Sequence, residues 1–386
     1  MIIYSSIILI LLLCIIEYDI KGIRQYRERF IKLLLLILIC VSGLAYRLGG
    51  DGIGYFHEFK QYGNISDVSY NYLMGFQGRM PGWVLLCTLC KTITDSYWFF
   101  KIVHALILNV AYINVIKRNT PYVFTGILFY FVLIYFNQNF QLLREALAIS
   151  FFFFALPSYY RGEWLKYYIY VIIAISFHEG AVFLLLLPLL KILGINKYSI
   201  CLYLLGGILF ISHASSILEM LMGVQLDGEV QGKIFHYTKQ MDSQYDFSYW
   251  GNSVLNIFFP LLILYYYYKK KIEIVYLYPA IAGIFVYLVS LVVPIAYRLS
   301  NYFLIFNYML IIDFIIKLIS QMKLGSSLRL SISFLFISSF ILFKARMYLL
   351  NYGETNIPSY VQYYPYASVF EKYEDPTRER LYNMLK

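Results

Sequence analysis

Apolar runs long enough to matter to a membrane follow one another along almost the whole chain. They lie near residues 1–16, 30–46, 97–116, 121–136, 142–158, 165–178, 179–193, 198–213, 251–268, 272–293, 299–320 and 328–344. A bilayer core takes about 20 residues of helix, and most of these runs approach that length. Only 14% of the residues are charged and 60% are hydrophobic, whereas soluble domains carry about 25% charge. No stretch outside the runs is long enough for a separate folded domain of ordinary size, about 50 residues or more. The pattern predicts an all-α, polytopic integral membrane protein of about twelve transmembrane helices, roughly eleven to thirteen. Residues 1–344 read as one membrane domain and residues 345–386 as an external tail.

Charge sets the orientation. The chain has a formal net charge of +10, but no basic stripe sits on a soluble fold, so nucleic acid is not an expected partner. The cations lie in short connections, where they direct topology. Lys21, Arg24, Arg27, Arg29 and Lys32 place the first connection in the cytoplasm. A further apolar run, Pro81 to Ile93, is short for a span. If it lies along the membrane surface, Lys117, Arg118, Arg161, Lys166, Lys191, Lys197, Lys269, Lys270, Lys271, Lys317, Lys323 and Arg329 all fall inside. Both termini are then external, as are residues 47–96, residues 214–250 and the tail. The loop 47–96 carries the surface-lying helix.

The five cysteines all lie in apolar segments. Cys87 and Cys90 form a CxxC with no second pair or nearby histidine to complete a metal set, so no metal or other cofactor is expected. Met1 to Ile16 has no basic leader and no small-residue cleavage site, and reads as a retained first span. The many tyrosines and phenylalanines suit interfacial belts. In outer loops they also suit stacking on sugar rings.

The external connections hold the chemistry. Directly after the second run stands Tyr46-Arg47-Leu48-Gly49-Gly50-Asp51-Gly52-Ile53-Gly54-Tyr55. Arg144 and Glu145 open the run at 142–158, His178 sits in a tight turn, Tyr297 and Arg298 precede the run at 299–320, and Arg79 precedes Met80-Pro81. Each has a purely structural reading: an ion pair at a helix start for Arg144–Glu145, a hydrogen-bonded histidine for His178, snorkelling for Arg298, a turn for Asp51, a helix cap for Arg79. His57 and Glu58 read as loop surface. All the others share one face once orientation is assigned, and ionisable groups at membrane depth mark working sites. Arginine forks bind phosphate oxygens and stay charged. A polyprenyl pyrophosphate keeps its tail in lipid and its phosphates at this depth, and fixed cations stabilise the charge that builds on it when its glycosyl bond breaks. A carboxylate or histidine takes the proton of an attacking hydroxyl. No nucleophile elbow, P-loop or HExxH occurs.

Arg47-x-x-Gly-x-Asp51-x-x-x-Tyr55-x-x-x-Phe59 resembles the EpsG family of Wzy-like bacterial polysaccharide polymerases. So do Leu143-Arg144-Glu145-Ala146-Leu147-Ala148, Phe177-His178 before an apolar helix, and Tyr297-Arg298 with Tyr302-Phe303. The resemblance covers roughly residues 1–365, and its specificity lies in the order and spacing of the motifs. The sequence departs from the pattern at Glu145, where Gln is usual, at Arg79-Met80, and at Lys233-Ile234-Phe235-His236-Tyr237, where an Arg-led segment is expected. The resemblance implies a GT-C-like, metal-independent glycosyltransferase of the bacterial cytoplasmic (inner) membrane, its active site facing the periplasm or exterior. It would move a glycan from polyprenyl (undecaprenyl) pyrophosphate to the terminal sugar of another lipid-linked repeat unit, with inversion, towards O-antigen, capsule or exopolysaccharide. A chain-length regulator is a further implied partner, beside membrane lipid. Arg47, Arg144 and Arg298, with Arg79, Lys233 and Tyr297, are the expected pyrophosphate or glycan contacts. Asp51, His178 and Glu145 are the candidates for the base. The competing readings are a lipid-linked oligosaccharide flippase or other transporter, which would set its charges in mid-span, a related ligase or polyprenyl-phosphate-sugar transferase, and a membrane O-acyltransferase.

Overall fold

The computed structural model describes residues 2–194, 251, 253–290, 296–323, 325–353 and 355–384. The expected run 198–213, the loop 214–250 and Lys233 lie outside the described residues. The fold is all-helical: among the described residues, extended pairing is limited to isolated bridges. Four helices, Ile3–Ile20, Tyr97–Asn119, Val123–Phe140 and Ser327–Tyr348, are long and apolar enough to cross a bilayer. Helices suit that role because every backbone polar group is satisfied within its own segment. The described residues form two compact units, residues 1–181 with 315–386, and residues 182–314.

The first unit opens with α1 (Ile2–Cys14), which continues as a π-helical stretch Ile15–Ile20, and α2 (Arg27–Gly43). The loop that follows is itself helical, with α3 (Gly50–Gln61), α4 (Tyr70–Gly75) and α5 (Pro81–Ile93). Pro81 stands at the first position of α5, where its missing N–H costs nothing. At 13 residues, or roughly 20 Å at 1.5 Å per residue, α5 is shorter than the usual transmembrane helix. Then come α6 (Tyr97–Asn119), α7 (Val123–Tyr130) running through a π stretch Phe131–Tyr135 into α8 (Phe136–Phe140), α9 (Leu143–Arg161) and α10 (Trp164–Phe177).

Two sets of contacts define the ends of this bundle. At one end Lys117 Nζ lies 2.6 Å from Glu28, Arg27 donates to the Pro121 carbonyl at 2.9 Å, and Tyr160 meets Asn119 at 3.4 Å. The connections carrying Arg27, Lys117 and Arg161 therefore share that end. At the other end, His104 Nε2 meets the Leu143 carbonyl at 3.0 Å, and Lys101 Nζ donates to the Asn139 carbonyl at 2.5 Å. Between them Asn109, Asn139 and Tyr130 form a buried polar knot, with Asn109 Nδ2 donating to Asn139 Oδ1 at 3.2 Å and the Tyr130 hydroxyl donating to Asn109 Oδ1 at 2.9 Å. Such side-chain bonds join helices where lipid supplies no hydrophobic drive.

The tail packs against the head of the loop. The Tyr46 N–H donates to the Ala367 carbonyl at 2.8 Å, Val369 N–H to Leu44 at 2.9 Å, and Gly49 N–H to Gln362 at 3.0 Å. A tail helix, Pro376–Met384, is anchored by fully buried Arg378, whose Nε donates to the Val361 carbonyl at 3.0 Å. Gly49 is the pivot: its φ is +80°, and a Cβ there would lie 2.7 Å from Phe140 Cβ. Only glycine takes that backbone angle against α8 without strain.

In the second unit Phe183 packs edge-on against Tyr302 (5.2 Å) and Phe303 (5.6 Å), and Gly283 of the helix Leu277–Ser290 lies against Phe303. Ile257, Ile284 and Tyr287 form a small apolar core. Tyr276 donates to Asp313 Oδ2 at 2.6 Å within the unit.

The two loop-head glycines separate cleanly by substitution. Gly49→Ala is expected to lower stability by at least about 1–2 kcal/mol, the cost of a left-handed L-residue, before any clash is counted. Gly54→Ala, inside α3 with open space around it, is expected to raise stability by about 0.5–1 kcal/mol. Thermal melts of the detergent-solubilised variants check both signs.

Candidate functional site

The head of α3 supplies the core of the site. Phe56 and Phe59 pack on Tyr97 of α6 at 5.4 and 5.8 Å, and Tyr97 donates to the Gly52 carbonyl at 3.3 Å. This holds α3 across the end of the bundle. Asp51 stands exposed in its first turn, where a carboxylate complements the helix dipole. One turn on, Tyr55 lies between the Trp83 ring, 5.2 Å away, and Arg144, whose Nε approaches the phenol oxygen at 3.5 Å. Burial raises the Tyr55 pKa; Arg144 draws it back down and Asp51 adds to the rise, so both charges face this one phenol. Tyr352 of the tail also feels the Asp51 charge, after its own burial.

Three candidate-site arginines of this unit are distinguished by their partners. Arg47 forks onto Glu379 of the tail helix, its Nε donating at 2.9 Å, and Glu374 stands 3.6 Å away. The Glu379 hydrogen bond, against opposing burial, holds its pKa above the ordinary arginine value. Arg79 forks onto Glu58 at 3.1 and 2.7 Å. Arg144 has no carboxylate within ion-pair distance among the described residues; Tyr55 is its hydrogen-bond partner there.

Glu58 corrects the sequence reading. It is not loop surface but only 6% exposed, and it accepts from Tyr62 at 2.6 Å, Trp83 Nε1 at 2.9 Å and Arg79. Burial alone would raise its pKa, but the bonds from Tyr62, Arg79 and Trp83 together leave it lowered. Charge-assisted bonds to the ionised form have this effect. His57, by contrast, is exposed.

Glu145 is buried in α9, one residue beyond Arg144. His178 caps α10, its N–H donating to Ala174 at 3.1 Å, and is half-buried. The neighbouring Ser176 meets Gly82 of α5 closely enough to exclude any side chain there, so the end of α10 is tied to the segment that carries Arg79. Tyr297 and Arg298 belong to the second unit, exposed in a short helix Tyr297–Ser300.

Two residues escaped the sequence reading. Lys101 is 4% exposed, and its ammonium meets the Asn139 carbonyl near the end of α8 and lies over the Phe140 ring. An ionisable residue one turn into an apolar run is the signal that marks it. Arg47, Trp98 and Lys101 line a small cavity of about 50 Å³ beneath the loop. Gln362 of the tail had no signal at all: its side chain accepts from the Gly50 N–H at 3.3 Å and from Gln141, closing the site from a position more than two hundred residues away in sequence. Cys87 and Cys90 are buried packing residues of α5.

The Glu58–Arg79 pair is open to a pH test. Arg79→Ala is expected to cost about 3 kcal/mol, the low end for a broken buried pair, because the Arg79 side chain is 30% exposed. The Glu58 pKa is lower folded than unfolded, so its contribution is complete above the ordinary glutamate pKa, about 4.3, and is lost as pH falls through the folded value. The stability gap between the native protein and Glu58→Gln should therefore narrow between pH 7 and pH 3, read by thermal melts.

Comparison with known proteins bears on the same residues. No curated protein and no solved structure matches the chain. The model of the EpsG family matches residues 28–368, a stretch that runs from the first turn of α2 into the tail and includes Arg47, Asp51, Arg144, His178 and Arg298. The chain is thus an integral membrane protein with a polysaccharide-polymerase-like role, and it belongs to the EpsG family.

Proposed function

We propose that the chain is a GT-C-like polysaccharide polymerase that lengthens a glycan carried on polyprenyl pyrophosphate, with Arg144 as the pyrophosphate contact and Asp51 as the base. The observation that carries this reading is an arginine without a carboxylate partner among the described residues, set with an exposed carboxylate around one phenol at the head of apolar helices. The donor's polyprenyl tail stays in lipid while its phosphates reach the helix ends. Asp51 accepts the proton of a hydroxyl on the acceptor repeat unit. The hydroxyl oxygen bonds to the anomeric carbon from the face opposite the phosphate. The glycosyl–phosphate bond breaks with its electron pair going to the leaving pyrophosphate, and the anomeric centre inverts.

Arg144 acts on the charge that develops in that step, where a fixed cation in a poorly hydrated site needs no reorganisation. Tyr55 supports its guanidinium and contributes a hydroxyl beside the phosphates. Arg47 and Arg79 are held by Glu379 and Glu58; in this reading they position α3 and the α5 entry, and contact substrate only by exchanging those partners. Glu145, being buried, supports the helix start and Asp51 takes the proton. His178, half-buried at the end of α10, is the alternative base. Arg298, Tyr297 and Lys233 remain proposed glycan or phosphate contacts on the strength of the sequence motif.

The test is a purified system with lipid-linked repeat units, following release of polyprenyl pyrophosphate together with longer lipid-linked glycan. Arg144→Ala is expected to lower kcat by about 10²–10³-fold, with partial recovery in Arg144→Lys. Asp51→Asn is expected to lose about 10²–10⁴-fold, and His178→Gln far less. Unchanged chain length in a correctly inserted Arg144→Ala variant would sink the assignment.

A further inference from the structure

A cavity of the first unit lies at the other end of the bundle from Asp51. It measures about 500 Å³ and is framed by α6, α9 and α10. His104 meets Leu143 at one end of α6 and α9, and Tyr160 meets Asn119 at the other, so the two helices run parallel. Roughly 25 Å of helix separates Lys101 from Arg118 at 1.5 Å per residue, and the same distance separates Arg144 from Arg161. Nothing in the proposed reaction uses this cavity.

Its lining divides into two halves. Phe153, Phe154 and Leu156 give an apolar wall, while Arg118, Arg161 and Lys166 stand at the mouth. Glu163 is shared by two of these cations, Arg161 at 2.6 Å and Lys166 at 3.2 Å. Arg118 is exposed and makes no ion pair among the described residues. Three cations against one carboxylate leave the mouth with an excess of two positive charges. Leu165, Ile169 and Ile172, sequence neighbours on α10 of the lining residues Lys166 and Tyr170, are strongly exposed, an apolar surface suited to acyl chains. Among fixed features of a membrane protein, a basic pocket between helices at the cation-rich end is the kind that takes an anionic lipid headgroup.

We propose that this cavity binds the phosphodiester of an anionic phospholipid. The phosphate sits between Arg118 and Lys166, the acyl chains lie on the apolar wall and on the α10 face, and the glycerol end meets Asn119 and Tyr160. A free phosphate shares the headgroup chemistry but leaves the apolar half of the cavity unfilled, so the lipid is the ligand the lining favours.

The experiment is native mass spectrometry of the full-length protein in detergent, titrated with phosphatidylglycerol, with phosphatidylcholine of the same chains, and with inorganic phosphate. Phosphatidylglycerol is expected to bind tighter than phosphatidylcholine. Each surface cation removed should weaken it about fivefold, so Arg118→Gln with Lys166→Gln should weaken it about 25-fold, while Arg118→Lys retains binding. Lys32→Gln, at an exposed cation of α2, should leave it unchanged, and millimolar phosphate should not displace the lipid. Equal binding of the two lipids, a double variant within twofold of the native protein, or an equal loss in Lys32→Gln would overturn the site. Displacement by phosphate alone would overturn the lipid as its ligand.

Discussion

Lipid offers no hydrogen bonds, and the first unit is arranged around that constraint. α6 carries Lys101, His104 and Asn109, and each makes a hydrogen bond to α8 or to the start of α9. Lys101 takes the Asn139 carbonyl, His104 the Leu143 carbonyl and Asn109 the Asn139 side chain. The last carbonyls of a helix need partners from elsewhere, and a cation there also complements the dipole. The same contacts hold the start of α9 in place. Arg144 stands in that first turn, so the candidate site is held by polar bonds buried beneath it.

Three arginines meet at the head of this bundle, and partner choice separates them. A guanidinium bound to a carboxylate in a low-dielectric setting is a clamp, because breaking it strands a buried charge. Arg79 with Glu58 fastens the entry to α5, and Arg47 with Glu379 fastens the tail helix. Arg144 lies against a phenol instead. The tail therefore packs against the candidate site: Gln362 touches both Gly50 and Gln141, and Tyr382 donates to the Arg47 carbonyl at 3.3 Å.

The helices were legible because their signal is local. Apolar runs with cations at their ends predicted α1, α2, α6, α9 and α10 closely, and for the short run Pro81–Ile93 it was the placement of the cations that argued against a span. The signal at the mouth of the second run is local too, since Arg47, Asp51 and Tyr55 stand at the spacing of the family motif. Glu58 was misread because a charged residue between His57 and Phe59 looks solvated until Tyr62, Arg79 and Trp83 are seen to converge on it. Lys101 was hidden in an apolar average, though its position one turn inside the run marked it.

By itself the sequence determined the membrane class, the all-helical architecture and the family, and it nominated the residues of a candidate site. Those properties follow from composition, run length and short motifs, each of which acts over a few residues. Only the tertiary structure decided that Arg47 and Arg79 are paired with carboxylates while Arg144 lies against a phenol. That outcome depends on carboxylates far off in sequence, with Glu379 reaching Arg47 from the tail and Glu58 reaching Arg79 across the loop. Charge pairing is fixed by distance in space, and no periodicity in the chain encodes it.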